Sequence, residues 1–127
     1  MLKWQGLALL LAAALVSAAN LGWAQSATRF DGQYVGELKL LKTVRGDCTE
    51  PPPGAVYPMT ISGGQVQFKY DPRFDTVLRG QIAENGSFHA SQRLPKGRIS
   101  MSGYIQGNTV TARLKSPSCR YTFRTSN

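Results

Sequence analysis

Apolar and polar residues alternate with a period of two from Gln33 almost to the end of the chain. In QYVGELKL, Tyr34, Gly36, Leu38 and Leu40 fall on one side, with Val35, Glu37 and Lys39 on the other. That period belongs to a half-buried β-strand and not to a helix. It returns with Tyr57, Met59 and Ile61; with Val66, Phe68 and Tyr70; with Leu78, Gly80 and Ile82; and with Phe88, Ala90 and, less cleanly, Leu94. It continues through Ile99, Met101, Gly103 and Ile105, then Val110, Ala112 and Leu114, then Cys119, Tyr121 and Phe123. Eight short strands are therefore expected.

The connections alternate in kind. Gly63-Gly64, Glu84-Asn85-Gly86 and Gly107-Asn108 supply the positive φ of tight hairpins. The others carry proline: TVRGDCTEPPPG, DPRFD, PKG and SPS. Successive connections of a meander lie at opposite ends, so one pole should hold trim hairpins and the other longer, stiffer loops. LRGQIAENGSFHA and MSGYIQGNTVTA also share an apolar-x-Gly-x-Ile opening, which places Gly80 and Gly103 at matching inward positions of a curved sheet. The expected fold is an all-β, eight-stranded antiparallel up-and-down barrel in which the last strand pairs with the first. Pro58, inside the second strand without an amide donor, keeps a curved open sheet or small sandwich as the alternative.

The inward positions are aromatic and aliphatic and the outward ones are Gln, Ser, Thr, Lys and Arg, the reverse of an outer-membrane barrel. Eight strands enclose just enough space to be filled by side chains or to hold one small ligand. The inward tyrosines and phenylalanines read first as core.

The first 24 residues have a different character. Lys3, an apolar run from about Leu7 to Val16 and the small residues of Gly22-Trp23-Ala24 form a secretory leader, with cleavage expected before Gln25 and Val16-Ser17-Ala18 as an earlier site. The run is too short to span hydrocarbon, so the processed chain is not expected to be transmembrane. The expected organisation is a leader at 1–24, a linker at 25–31 and one domain at 32–127, periplasmic or secreted. In an oxidising compartment the two cysteines, Cys48 and Cys119, should form one disulfide. It would staple the end of the first strand to the start of the last, and Pro51 to Pro53 would stiffen the chain leaving that corner.

Catalytic chemistry is sparse. His89 is the single histidine and faces outward; Asp71 and Asp75 sit in a turn, and Asp47 and Glu50 flank Cys48. Neither cysteine lies in a metal-ligand spacing. No catalytic residue, metal or cofactor is expected, and the chain is read as a non-enzyme. The charge is more informative. Fifteen basic residues face seven acidic ones, and loss of Lys3 with the leader leaves a net +7. Under the meander topology Lys42, Arg45, Lys69, Arg73, Arg93, Lys96, Arg98, Lys115 and Arg120 fall in or beside the proline-bearing connections, a rim suited to an anion. Export disfavours nucleic acid and points to an envelope component, whether lipid, glycan or acidic protein.

FDGQYVGELKL, the GG, NG and GN turns and the closing SCRYTFRT resemble the small exported alphaproteobacterial β-proteins of unknown function, which open on Asp-Gly-x-Tyr/Trp-x-Gly and end in a cysteine-bearing strand. The resemblance implies fold and export and brings no activity. Gly32-Gln33-Tyr34 is more distantly similar to the Gly-x-Trp of lipocalins and avidins. The expected function is an exported binding module that engages an anionic envelope component through its basic rim. The alternatives are a lipocalin-like carrier of a small apolar ligand and a periplasmic protease inhibitor presenting CTEPPPG.

Overall fold

A computed structural model describes residues 27–71 and 76–125; the leader expected at 1–24, Arg73 and Asp75 lie outside them. Eight strands follow one another: β1 (Gly32–Thr43), β2 (Tyr57–Ser62), β3 (Gln65–Asp71), β4 (Thr76–Ile82), β5 (Ser87–Leu94), β6 (Gly97–Gln106), β7 (Thr109–Lys115) and β8 (Cys119–Thr125). All neighbours pair antiparallel, and β1 pairs with β8, so the meander closes into a barrel.

Closure depends on the length of β1. Its first half pairs with β2, from Gly32↔Ile61 to Gly36↔Tyr57, and its second half with β8, from Gly36↔Thr125 to Thr43↔Cys119. Gly36 belongs to both registers. A Cβ there would lie 2.5 Å from the Arg124 carbonyl oxygen and 2.8 Å from Cζ of Phe123, so only glycine lets the strands meet at this turning point. Between Leu40↔Tyr121 and Lys42↔Arg120 the register slips by one residue, and Leu41 bulges out half exposed. Pro58 does not split the barrel. It is the second residue of β2 and pairs with Val35, whereas the β2–β3 register ends at Met59↔Phe68, so its missing amide interrupts no ladder on that side.

The interior is filled by the inward half of the alternation. Met59, Val66, Phe68, Leu78, Met101, Leu114 and Phe123 have no solvent exposure. Phe68 and Phe123 meet edge to face, with centroids 5.0 Å apart.

Each pole is closed by a different device. At the hairpin pole the stretch read as a linker packs onto the barrel from Ala27, which is buried in the core. The Asp31 carboxylate accepts the amides of Gly63 and Gly64 at 2.8 and 3.0 Å, and the Arg29 guanidinium donates to the Glu84 carbonyl. The Tyr34 hydroxyl donates to the Phe30 carbonyl at 2.6 Å. Burial, helped by the Asp31 carboxylate, raises the Tyr34 pKa above the ordinary 10.0. The opening Asp-Gly-x-Tyr is thus a clasp between the N-terminal segment and the β2–β3 turn. At the loop pole the connection 44–56 folds back over the start of β8. Val44 N–H donates to the Ser118 carbonyl at 2.7 Å and the Tyr121 hydroxyl to the Thr49 carbonyl at 3.0 Å.

The disulfide between Cys48 and Cys119 forms, with Cα atoms 5.8 Å apart. Its place differs in detail from the sequence expectation. The residue facing Cys119 across the seam is Thr43, and Cys48 lies five positions further, so the bond ties the following loop to the seam.

Candidate anion-binding surface

The meander brings the ends of β1, β3, β5 and β7 and the starts of β2, β4, β6 and β8 to one pole. Lys42, Arg45, Lys69, Arg93, Lys96, Arg98, Lys115 and Arg120 all lie in or beside those positions, and Arg73 is outside the described residues. The pairings divide them into unequal groups. Arg93 faces Arg98 across the β5–β6 pair, and the Arg98 guanidinium donates to the Ser91 hydroxyl at 3.0 Å. Arg120 is committed to structure, donating from Nη1 to the Ser116 and Cys119 carbonyls at 2.5 and 3.0 Å. That bond locks the β7–β8 turn, where the Cys119 amide also donates to the Ser116 hydroxyl.

The densest charge lies where the chain's two ends meet. Across the seam Lys42 pairs with Arg120, and Arg120 pairs with Lys115, so three cations stand side by side on neighbouring strands. Two residues along β7 and β8, and three along the bulged β1, the row reads Lys39, Thr122, Arg113; two further it reads Glu37, Arg124, Thr111. The outer faces of β7, β8 and β1 therefore carry six cations and one carboxylate. The side chains of Lys39, Lys42, Arg113, Lys115 and Arg124 make no hydrogen bond or ion pair among the described residues.

This wall is indented. An open groove of about 1190 Å³ runs over β1, β8, β7 and β6, lined by Lys39, Arg113 and Arg124 together with Glu37, Thr111 and Thr122. Ser102 and Tyr104 of β6 form its far side, and the Tyr104 ring is 50% exposed. Arg113 also lines a smaller hollow of about 420 Å³ that includes Leu41, Lys42, Lys115 and Arg120, so the groove leads towards the loop pole.

Lys39, Arg113, Arg124 and Tyr104 were not among the residues singled out by sequence. They stand in the middle of strands, away from the proline-bearing connections that mark the rim. Their signal was present in outward parity on the first and last two strands, which closure makes neighbours.

The remaining chemical candidates stand apart. His89 is exposed on β5, with Nδ1 2.8 Å from the Ser102 hydroxyl. Glu50 accepts the Leu40 amide at 3.4 Å, and Asp47 is exposed. Among the described residues no group of three or more His, Cys, Asp and Glu side chains comes together. In CTEPPPG, Ala55 N–H donates to the Pro52 carbonyl at 3.1 Å, with Gly54 at φ +80°. That is a tight turn whose third position requires positive φ, preceded by proline. Comparison of the chain with protein-family models, with curated proteins and with solved structures found no match.

Proposed function

We propose that this protein is an exported, non-enzymatic binding module that engages an anionic component of the cell envelope through the cationic face of β7, β8 and β1 and the adjoining loop rim. The observation that carries this reading is the Lys42, Arg120, Lys115 row, with Arg113, Lys39 and Arg124 beside it. Like charges directly opposite on paired strands are destabilising. A surface shaped by folding and solubility alone would mix the signs. A rigid sheet that holds several unpaired cations at fixed spacing presents an anionic partner with a preformed field.

The test is binding of the exported protein to anionic phospholipid vesicles, lipopolysaccharide and an acidic glycan at about 20 and about 500 mM salt, where the screening length falls from roughly 20 Å to below 5 Å. Binding at low salt, lost at high salt and weakened at least tenfold by joint Lys42→Ser, Arg113→Ser and Lys115→Ser substitution, supports the reading. Binding to none of the three, or binding indifferent to those substitutions, rejects it. Arg120 is left intact because its guanidinium holds the β7–β8 turn.

One observation favours a second reading. The exposed Pro52 and Pro53 sit on a turn whose base is fixed by Cys48, a stiff projection of the kind that can occupy a protease cleft. Inhibition of an envelope protease that disappears in Pro52→Ala, Pro53→Ala with folding intact would support it.

A further inference from the structure

We propose that the groove over β1, β8, β7 and β6 is a binding site for an extended acidic polysaccharide, with carboxylate-bearing sugar units set against Lys39, Arg113 and Arg124 and one sugar ring on Tyr104. The inference rests on the cationic-face reading and narrows its partner from any envelope anion to one chemical class.

Three features select a glycan chain. The first is shape. The cations lie along the side wall in an open groove of about 1190 Å³ that continues into the hollow beside Lys42. A bilayer is a broad plane and meets a convex pole more readily than a channel in a wall, whereas a polymer strand can lie along the channel. The second is the lining. Between the charges stand Thr111 and Thr122, with Ser102 on the far side. Hydroxyls donate and accept at once, which matches the hydroxyls of a sugar. The third is Tyr104, half exposed on an otherwise polar wall. It pairs with Thr111 across β6–β7 and with Ser87 across β5–β6, so its ring stands beside the hydroxyls. An aromatic face there offers an apolar platform for the C–H face of a pyranose ring, with the phenol at its edge.

Charge spacing agrees. Lys115 and Arg113 are two residues apart on β7, a rise of about 6.8 Å, and neighbouring strands are about 4.8 Å apart. Positive groups therefore recur on the scale of a sugar unit. A chain with one carboxylate per unit can meet several of them at once, so the individual contacts can be weak.

The experiment is titration calorimetry of the exported protein with oligogalacturonate, a neutral maltooligosaccharide of the same length, and phosphatidylglycerol vesicles. The expected result is salt-sensitive binding of oligogalacturonate and none of the neutral oligomer. Arg113→Ser with Arg124→Ser should weaken that binding at least tenfold and flatten its salt dependence. Tyr104→Ala should weaken it about tenfold with the salt dependence unchanged, and Tyr104→Phe should restore it. Circular dichroism confirms that each variant is folded. Vesicle binding that needs Arg113 and Arg124, ignores Tyr104 and comes without oligogalacturonate binding would overturn the glycan assignment and leave the cationic-face reading standing. Equal binding of the neutral oligomer would overturn the role of charge here. Absence of binding to both anions would remove the inference, and the reading beneath it falls as well when lipopolysaccharide is also not bound.

Discussion

Replacing both cysteines by alanine tests how the barrel is held shut. The bond joins residues 71 positions apart, so it closes a loop containing every strand except β1 and β8. In the chain-entropy treatment, removing a cross-link over that separation frees about 15 cal/mol/K in the unfolded chain, or about 4.4 kcal/mol at 25 °C. A domain of about 100 residues has an unfolding entropy near 0.2 kcal/mol/K at its midpoint, so Tm should fall by about 20 °C. Both cysteines are only partly buried, so truncation to alanine leaves little cavity. Thermal unfolding followed by circular dichroism reads the shift, and wild-type protein treated with a reductant should reproduce it. Tyr121→Phe separates the effect from simple loop detachment. It removes another tether of the 44–56 connection, the hydroxyl bond to Thr49, and should cost about 1 kcal/mol. A fall below about 5 °C in the double-alanine variant would refute the reasoning, because the bond would then be anchoring a local loop and not constraining the unfolded chain.

Gly80→Ala should cost more than about 3 kcal/mol, read as a lowered urea midpoint, because the new Cβ would sit 1.7 Å from the His89 carbonyl oxygen and 2.8 Å from Cα of Ala90, both backbone atoms that move only if β4 and β5 part. Stability should decline above pH 10 through Tyr34. Its folded pKa is raised, so its contribution is complete below the unfolded value of 10.0 and is lost as pH climbs through the folded one; alkaline titration of Tyr34→Phe should show a shallower decline. Lys42→Gln with Lys115→Gln should raise stability by a few tenths of a kcal/mol in urea at low salt, with the difference vanishing at about 500 mM salt, because each faces Arg120 across a strand pair.

The strand architecture was legible because closure of a small barrel demands strict alternation, and a two-residue period is hard to mimic. The glycine-containing turns fixed the hairpins independently, since Gly63, Gly64, Gly86 and Gly107 all adopt positive φ. Features made by tertiary contact were harder to see. Residues 27–31 show no alternation and so read as a linker, although Asp31 and Arg29 bind turns more than 30 positions away. The bulge at Leu41 leaves no mark in LLK, yet it decides that Lys42 is the residue facing Arg120. Whether the interior was hollow depended on how Phe68, Phe123, Met59 and Met101 share one volume, which composition does not determine. The rim cations were found because connections point to a pole. The wall cations required the register of three strands at once, two of them at the opposite end of the chain from the first.

Closure therefore sets two opposing effects at one seam. It brings Lys42, Arg120 and Lys115 onto adjacent strands, where each like-charged contact costs below about 1 kcal/mol at low salt. Cys119 directly precedes Arg120 in β8, so the link to Cys48 enters the barrel one residue from the centre of the repulsion. The Arg120 guanidinium turns to two carbonyls of its own turn, which draws part of the charge into structure and leaves the flanking lysines exposed. A link worth about 4.4 kcal/mol exceeds the two repulsions together. The seam can therefore stay closed with its cations unpaired, and an anion that arrives there relieves a repulsion the fold has already absorbed.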